Sequence, residues 1–332
     1  NKLSSDISQK DLMLESLSSQ VTEQDTELDD LALQLSDLAS ALGLEKLRAN
    51  NIEDDLGKTK EILDKAEDQI SLHLSTISNL TKKYSTFASF YDLNSSFDVF
   101  FSLGGDGTIL RAITYIRDLD IPILGINTGR LGFLANIQKN AIKESIDLLI
   151  AEEYTIQERT LLSIKTNPKV KSLDELSFAL NEITIARENT TSMIGVKTFL
   201  DKEYLTNYWS DGLIIATPTG STGYSLSCNG PVISPNSKNF IITPIAPHNL
   251  NARPMVIPDE TLIELEVDSR EKSFLISLDS RITSVPKDTK IYIEKSPFTI
   301  KSMIPSNHSF LTTLRTKLLW GEDTRNGSNN KM

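Results

Sequence analysis

Residues 97–110, FDVFFSLGGDGTIL, carry the pattern that decides the fold of the central part of this chain. Phe97 to Leu103 is apolar and rich in strand-forming residues, and the glycines between Gly104 and Gly107 break that run. Apolar residues then recur at helical spacing from Ile109 to Ile116. This order predicts a strand, a glycine loop and a helix, with the loop at the carboxyl end of the strand, where open α/β sheets bind their ligands.

The glycine loop suits an anion such as a phosphate group. Glycine residues allow positive φ and a close approach of backbone amides, and the start of the following helix adds partial positive charge. Asp106 is unusual there, because phosphate oxygens repel a carboxylate unless a metal ion or a substrate hydroxyl lies between them. We interpret Thr108 as the helix cap, which leaves the Asp106 carboxylate free to act as a general base. The alternative is a simple glycine turn that the aspartate stabilises.

A second strand with its own loop follows. Ile121 to Ile126 lies within the spacing of a right-handed crossover, so we expect the two strands to be parallel neighbours. The loop Asn127 to Phe133 (NTGRLGF) then falls at the same sheet edge and suits a planar ring. A tight turn with Phe133 in the core fits this pattern equally well. A second helix is predicted over residues 141–151.

After Tyr154 the sequence changes to short strands separated by Gly, Pro, Asn and Asp, which predicts a β-rich half. Strands are expected at 161–166, 183–186, 213–216, 240–243 and 262–267, and an amphipathic helix at 309–320. Polar residues cluster at Asn181 and Glu182, at Asp211, and in the run Thr217 to Ser225. Dense hydroxyls, glycines and amides suit sugar and amide recognition, although a solvated hairpin loop has the same composition.

The first 80 residues have a different composition, since all 12 prolines and every Phe, Tyr and Trp lie beyond residue 83. Apolar residues recur every seven positions from Ile7 to Leu42, which predicts a coiled coil. Gly43 is expected to interrupt it, with a less regular helix beyond. Because Lys10, Gln24 and Glu45 occupy seam positions, a loose helical hairpin is nearly as consistent with the pattern as a dimer.

Composition argues against several classes of protein. The formal net charge is −11, and residues 1–80 hold 17 acidic and 7 basic residues, so we expect no nucleic acid partner. No apolar run approaches the roughly 20 residues that cross a bilayer, so we expect no membrane partner. The single cysteine, Cys228, and the lack of a leader favour a cytoplasmic location. The three histidines are far apart, and we expect no metal site built from protein side chains.

Taken together and in this order, GGDGT, NTGRLGF, the Asn181 and Glu182 pair and DGLIIATPTGSTGYSLS (211–227) resemble the NAD kinase family. The resemblance covers about residues 82–326, including RPMVIP at 253–258 and LLWG at 318–321, but not the first 80 residues. It implies an α/β domain at 81–153, an all-β, dinucleotide-binding domain at 154–306, and a last helix at 307–320 that returns to the first domain. A helical, coiled-coil-like segment at 1–80 and a flexible tail at 321–332 flank them.

The resemblance implies a kinase that transfers phosphate from ATP, with Mg²⁺, to the adenosine 2′-hydroxyl of NAD. ATP and NAD would be the small-molecule partners and would meet between the two domains of a homo-oligomer. Asp106 would be the catalytic base. The residues that the resemblance assigns to nucleotide binding are Gly105, Gly107, Thr108, Arg111, Phe133, Asn181, Glu182, Asp211, Thr222, Gly223, Tyr224 and Ser227.

Two features depart from the family pattern. The family's first domain opens with a strand and a helix ahead of the glycine loop, and no such strand is recognisable before Phe97. Asn229 stands where the family usually has a glycine before GPVI, which is expected to strain that turn. Two alternatives therefore stay open: a coiled-coil interaction protein that binds dinucleotide but is impaired in catalysis, and a lipid kinase with a related GGDGT loop.

Overall fold

The computed structural model describes residues 2–319 except 130, 136, 190, 191 and 250; for 2–33, 77 and 79–82 it describes the backbone without the side chains. The chain divides into two compact units, Asn1–Thr86 and Phe87–Met332. Each is described by itself.

The described helices are α1 Lys2–Lys83, α2 Asp106–Ile116, α3 Ile142–Ile150, α4 Lys171–Asp174, α5 Tyr224–Ser227 and α6 Phe310–Leu318. The described strands are β1 Phe100–Leu103, β2 Ile123–Asn127, β3 Ile137–Gln138, β4 Tyr154–Asn167, β5 Phe178–Ala179, β6 Glu182–Ala186, β7 Ile194–Leu200, β8 Glu203–Ser210, β9 Gly212–Ala216, β10 Asn239–Ile245, β11 Met255–Pro258, β12 Ile263–Asp268, β13 Ser273–Leu278, β14 Arg281–Pro286 and β15 Lys290–Pro305. Short 3₁₀ turns lie at Phe90–Asp92, Lys139–Ala141 and Thr219–Thr222.

The first unit contains a single helix. α1 runs for 82 residues and passes through Gly43 and Gly57 without a break. The predicted interruption at Gly43 and the helical-hairpin alternative are therefore wrong. A glycine costs only about 1 kcal/mol relative to alanine in a helix interior, which is too little to end a helix with many turns on either side.

The strand, loop and helix predicted from FDVFFSLGGDGTIL are confirmed as β1, the loop at 104–105 and α2. β1 and β2 are parallel neighbours, with Phe100 opposite Ile123 and Leu103 opposite Ile126. α2 buries Ile109, Ile113 and Ile116, which pack in one cluster with strand residues. This amphipathic packing fixes the start of α2 at the carboxyl edge of the sheet.

β1 lies at the end of its sheet and pairs with β2 alone among the described strands. Within residues 2–99 no strand precedes it, because that part of the chain holds α1 and one 3₁₀ turn. Two β1 side chains that share one face of the sheet are also exposed, Phe101 at 42% and Leu103 at 63%. The absence of a recognisable first strand in the sequence thus corresponds to an open sheet edge.

The β-rich half consists of two sheets. The larger has nine strands in the order β1-β2-β15-β12-β7-β8, with β3, β4 and β5 attached, and the smaller has six strands in the order β11-β10-β9-β6-β13-β14. The core between them draws buried side chains from both sheets, among them Val196 and Ile263 from the larger and Phe240 and Phe274 from the smaller. All five predicted strands are present, as β4, β6, β9, β10 and β12. β4 begins ahead of the predicted strand at 161–166. Its added residues are mostly exposed or half-buried, so they give no apolar run in the sequence.

The α/β strands and the β-rich strands share one sheet, which the sequence pattern does not reveal. β15 pairs with β12 and β4, and its Ser302 also bridges to Ile123 of the parallel strand β2. The last helix is confirmed as α6, which Ser309 caps by accepting the backbone N–H of Thr312 at 3.2 Å. Trp320 and the predicted tail at 321–332 lie outside the described residues.

Candidate active site

The Asp106 carboxylate lies at the first position of α2 and is held by the loop that follows β2. The backbone N–H of Phe133 donates to its Oδ2 at 2.8 Å. The N–H groups of Leu134 and Ala135 donate to its Oδ1 at 3.0 and 2.9 Å. Three donors fix both carboxylate oxygens and tie the two predicted loops together at one sheet edge.

Two details of the glycine loop differ from the sequence prediction. Gly105, not Thr108, occupies the cap position of α2, and no side chain caps this helix. The Asp106 carboxylate is also not free, because the loop amides bind it. Thr108 instead donates its backbone N–H to the Gly105 carbonyl at 2.9 Å.

The glycines of this loop have separate roles. Gly104 has a φ of +154°, and a Cβ there would lie 2.1 Å from the Thr108 hydroxyl. Beside Gly105 and Gly107 a Cβ would meet no atom within 4 Å. Protein packing requires glycine only at Gly104, whereas the open space at the other two suits a ligand that approaches the backbone.

Hydrogen bonds of the Asn127 side chain hold the loop that leads to Phe133. Asn127 accepts the Gly129 N–H at 2.7 Å and donates to the Ala135 carbonyl at 3.3 Å. Gly132 lies against Asp106, since a Cβ on it would be 1.8 Å from Oδ1. The Phe133 ring is half-buried, and the Lys317 ammonium of α6 lies 4.9 Å from its centroid.

Asn181 and Glu182 are positioned by Asp279, which lies in the tight turn between β13 and β14. Its carboxylate accepts the backbone N–H groups of Leu180, Asn181 and Glu182 at 3.1, 2.8 and 3.2 Å. Asp279 itself is buried, and Arg281 lies 4.0 Å from its Oδ2. A buried carboxylate that receives three N–H donors makes this turn rigid.

Glu182 is a buried acid with spare hydrogen-bonding capacity. It is 8% exposed, and its Oε2 has no hydrogen-bond partner in the part of the chain that the structure describes. Burial, followed by the negative charge of Asp279, raises the pKa of Glu182 to about 7, against the opposing donation from the Tyr224 N–H. A buried acceptor without a donor fits a ligand hydroxyl.

The hydroxyl-rich loop packs directly on this pair. A Cβ on Gly220 would lie 2.0 Å from the Asn181 carbonyl oxygen, and one on Gly223 would lie 3.0 Å from Glu182 Oε2. The Thr217 hydroxyl donates to the Leu180 carbonyl at 2.6 Å. Gly220 is therefore required by the close approach of the Asn181 backbone, and Gly223 lies against the Glu182 carboxylate. The interpretation of this run as a solvated hairpin loop is wrong.

Tyr224 and Asp211 complete the same region. Burial raises the pKa of the Tyr224 phenol, and the charges of Cys228, Asp211 and Glu182 raise it further, so these groups lie within electrostatic range of one another. Asp211 forms an ion pair with Arg187 at 2.9 Å.

The remaining predicted residues are less enclosed. Thr222 donates its hydroxyl to the Thr219 carbonyl at 3.2 Å, and Ser227 is exposed at the end of α5. Arg111 is exposed on α2.

One apolar cluster connects the two polar regions. It contains Ile109, which follows Asp106 by three residues, Ala135 from the loop that binds Asp106, and Leu180, which precedes Asn181. The packing therefore places the glycine loop and the Asn181–Glu182 turn on neighbouring parts of the same unit.

Asn229 adopts the backbone conformation that a glycine usually supplies. Its φ is +65°, and its N–H donates to the Leu226 carbonyl at 3.1 Å as α5 ends. Asparagine tolerates this left-handed region better than most residues. The strain expected at this turn therefore lies in the positive φ of Asn229, and it is smaller for asparagine than for most other residues.

Sequence reasoning missed two positioning residues, Asp279 and the side chain of Asn127. Asp279 lies 98 positions from Asn181, and its local sequence, LDSR, reads as an ordinary turn. The one available signal was a charged residue between two alternating strands, which is a common feature of turns.

Metal binding is the remaining feature of the site. Among the described residues no three His, Cys, Asp or Glu side chains converge. Mg²⁺ usually keeps several waters and is held by one or two carboxylates together with substrate phosphates.

Comparison with known families identifies the chain. The model of the ATP-NAD kinase N-terminal domain matches residues 22–154, and that of the ATP-NAD kinase C-terminal domain matches residues 180–305. The chain belongs to the ATP-NAD kinase family. The first match begins inside α1, ahead of residue 82, where the motif resemblance starts.

Individual members of the ATP-NAD kinase family agree with this assignment. An NAD kinase of Christiangramia forsetii is 55% identical over 260 residues, which is 78% of this chain and 88% of that protein. A crystal structure of an Archaeoglobus fulgidus NAD kinase in complex with ATP has a TM-score of 0.60 at 29% identity and covers 74% of this chain and 94% of that one. A yeast NADH kinase complexed with NADH has a TM-score of 0.62 at 25% identity and covers 71% of this chain and 69% of that one.

Proposed function

We infer that this protein is an NAD kinase, a phosphotransferase that uses ATP to phosphorylate the adenosine 2′-hydroxyl of NAD and so forms NADP and ADP. The observation that carries the inference is the carboxylate of Asp106, fixed by three N–H donors beside an open glycine loop, in a member of the ATP-NAD kinase family. A fixed carboxylate at a phosphate loop matches the requirement for a positioned base in phosphoryl transfer.

In the proposed reaction the 2′-hydroxyl oxygen attacks the γ-phosphorus, and the bond from that phosphorus to the β,γ-bridging oxygen breaks. Asp106 accepts the hydroxyl proton at Oδ2, which binds only the Phe133 N–H of the three loop amides and keeps a lone pair for it. ADP leaves with the electron pair of the broken bond. Mg²⁺, bound with the nucleotide, supplies charge neutralisation on the phosphate oxygens. The amides around Gly105 and Gly107 bind the phosphates, since open space surrounds both residues.

We assign the dinucleotide to the region around Glu182. Its unpartnered Oε2 accepts a ribose hydroxyl, and Asn181 presents its amide from the turn that Asp279 fixes. Phe133 offers an aromatic face to a planar ring. Thr108, Arg111, Asp211, Thr222, Gly223, Tyr224 and Ser227 are proposed to complete the nucleotide sites.

The direct test is a product assay. Purified protein is incubated with ATP, MgCl₂ and NAD, and NADP is measured by an NADP-specific dehydrogenase, with an incubation lacking ATP as the control. We expect ATP-dependent formation of NADP. Phosphorylation of diacylglycerol or sphingosine in place of NAD would overturn the assignment in favour of a lipid kinase.

One observation supports a second candidate function. β1 has an open edge where the family's first domain has a further strand, and a domain that loses a strand can retain ligand binding while losing precise geometry. If NAD binds in calorimetry but no NADP forms, the protein is a dinucleotide-binding interaction protein.

We also propose the cellular location of the enzyme, its domain boundaries and its oligomeric state. A single cysteine cannot form an intrachain disulfide, which supports a cytoplasmic location. Among the described helices none is long and apolar enough to cross a membrane. The domain boundaries near 81, 154 and 307 and a homo-oligomeric state are part of the same proposal.

A further inference from the structure

α1 exposes large apolar side chains on several faces, and one row of them recurs every seven residues. Leu35, Leu42 and Leu56 are 66%, 73% and 69% exposed, and Leu63 and Ile70 are each 57% exposed. Most helical stability in proteins comes from packing of an apolar face. A helix of this length with such a row is built to be covered by another surface.

The row keeps one register along the whole helix. Counting in sevens from Ile7, every position as far as Ile77 is apolar. These eleven residues, which we call the seam, are Ile7, Leu14, Val21, Leu28, Leu35, Leu42, Ala49, Leu56, Leu63, Ile70 and Ile77. Because α1 is continuous through Gly43 and Gly57, the phase is not lost at either glycine. A strict seven-residue repeat over many heptads imposes a left-handed supercoil with a like helix.

We propose that the seam is the interface of a parallel, in-register, two-stranded coiled coil formed by α1 of two copies of this chain. With the seam as heptad position a, the d positions mix apolar residues such as Leu38 with polar residues such as Gln24 and His73. A parallel pair places each seam residue against its own copy and keeps eleven apolar layers. An antiparallel pair would place the polar d residues against apolar seam residues instead.

Two charge pairs beside the seam favour the same arrangement, whereas Asp6, at g, would face the partner subunit's Asp11, at e, and repel it. In a parallel pair, a g residue of one helix faces the next e residue of the other. Arg48, at g, then faces the partner subunit's Glu53, at e, and Asp55 faces the partner subunit's Lys60. Both contacts are attractive and, by the twofold symmetry, each occurs twice. Glu45, a d residue, is already neutralised within its own helix by Arg48 at 2.6 Å.

The test is disulfide trapping in the full chain. Leu42→Cys places a thiol in the seam, and Ser40→Cys, two residues away on the outer face, is the matched control; both carry Cys228→Ser. Under a glutathione redox buffer we expect the Leu42→Cys protein to form a covalent dimer at least about ten-fold faster than the control, since thiols held in one interface meet at an effective concentration on the order of millimolar. The rate should not change on dilution.

Equal or absent crosslinking of the two cysteine variants overturns the proposal, and so does a covalent product that forms only at high protein concentration. A second measurement tests the charge pairing. Lys60→Glu should slow trapping of the Leu42→Cys protein, and adding Asp55→Lys should restore it; a double variant slower than the single one contradicts the parallel register. These readouts do not depend on NAD or ATP.

Discussion

The Asp106 carboxylate is the residue on which the chemistry depends. Replacing Asp106 with Asn keeps the size of the side chain and one oxygen to accept a loop amide, but removes the base. We expect NADP formation to fall by about 10² to 10⁴-fold, the usual contribution of a positioned base. Initial rates of NADP production, with circular dichroism to confirm the fold, measure this.

Asp118→Asn is the matched control, because Asp118 is exposed just beyond the end of the same helix. It should retain the activity of the unmodified protein. Activity near that level in Asp106→Asn would remove Asp106 from the role of base.

Glu182 makes stability depend on pH. Its pKa rises from 4.5 to about 7 on folding, so between those values the folded state holds a proton that the unfolded state has released. The free energy of unfolding should therefore fall as the pH rises from about 4.5 to about 7, by up to about 3 kcal/mol, and level off above that.

Glu182→Gln should remove this contribution to the slope, whereas Glu203→Gln, at an exposed position at the start of β8, should keep it. Urea unfolding of the three proteins at several pH values between 4.5 and 8 supplies the comparison. The interpretation is wrong if all three slopes coincide.

At the scale of elements, the loop after β2 and the start of α2 form one unit through a close contact. Gly132→Ala would place a methyl group 1.8 Å from Asp106 Oδ1, so the loop or the carboxylate must shift. Overpacking of this kind costs about 1 to 3 kcal/mol, and a displacement near 1 Å at a reacting group lowers activity by up to about 10²-fold.

Gly129→Ala in the same loop is the control, because its nearest neighbour, Asn127 Oδ1, would be 3.9 Å from the new Cβ. Thermal midpoints and kcat/KM for NAD of both variants separate the two positions. Equal effects would mean that the loop tolerates movement and does not position Asp106.

The sequence predicts elements well where the pattern is local. β1, β2 and α2 follow from an apolar run, a glycine break and a helical repeat, and the motifs identify Asp106, Asn181 and Glu182 as candidates. The contacts that hold them do not follow from pattern. The amides that bind Asp106 are 27 to 29 positions away, and Asp279 is 97 to 99 positions from the amides that it binds. Such contacts depend on the strand order, which no local pattern encodes.

The continuous α1 shows the opposite error. Gly43 suggests an interruption, and Lys10, Gln24 and Glu45 suggest a hairpin, yet the apolar repeat continues in phase beyond them. The cost of a glycine in a helix, about 1 kcal/mol, is small compared with the effect of an apolar repeat that extends over the whole helix.

At the scale of the whole molecule, the Phe87–Met332 unit should unfold as one body. Ile300 of β15 is buried in the cluster that joins α2 with Phe178 and Leu180. Ile300→Ala should lower the free energy of unfolding by about 2 to 5 kcal/mol. Hydrogen exchange should show α2 and β9 losing protection by the same amount, because β15 also places Ile291 and Ile293 in one core cluster with Leu213 and Ile215 of β9.

Ile282→Ala, at a side chain that is 67% exposed, is the control and should change stability by less than about 0.5 kcal/mol. If α2 loses protection while β9 does not, the two halves unfold separately.

The position of β15 limits how this body can move. Its backbone is bonded to strands of the β-rich half and, through Ser302, to the strand that leads into the NTGRLGF loop. One continuous strand therefore joins the two halves, and the register of β15 shifts between Lys295 and Thr299, which lie between these two pairings. We therefore expect a displacement of one half to be transmitted to the other along this strand.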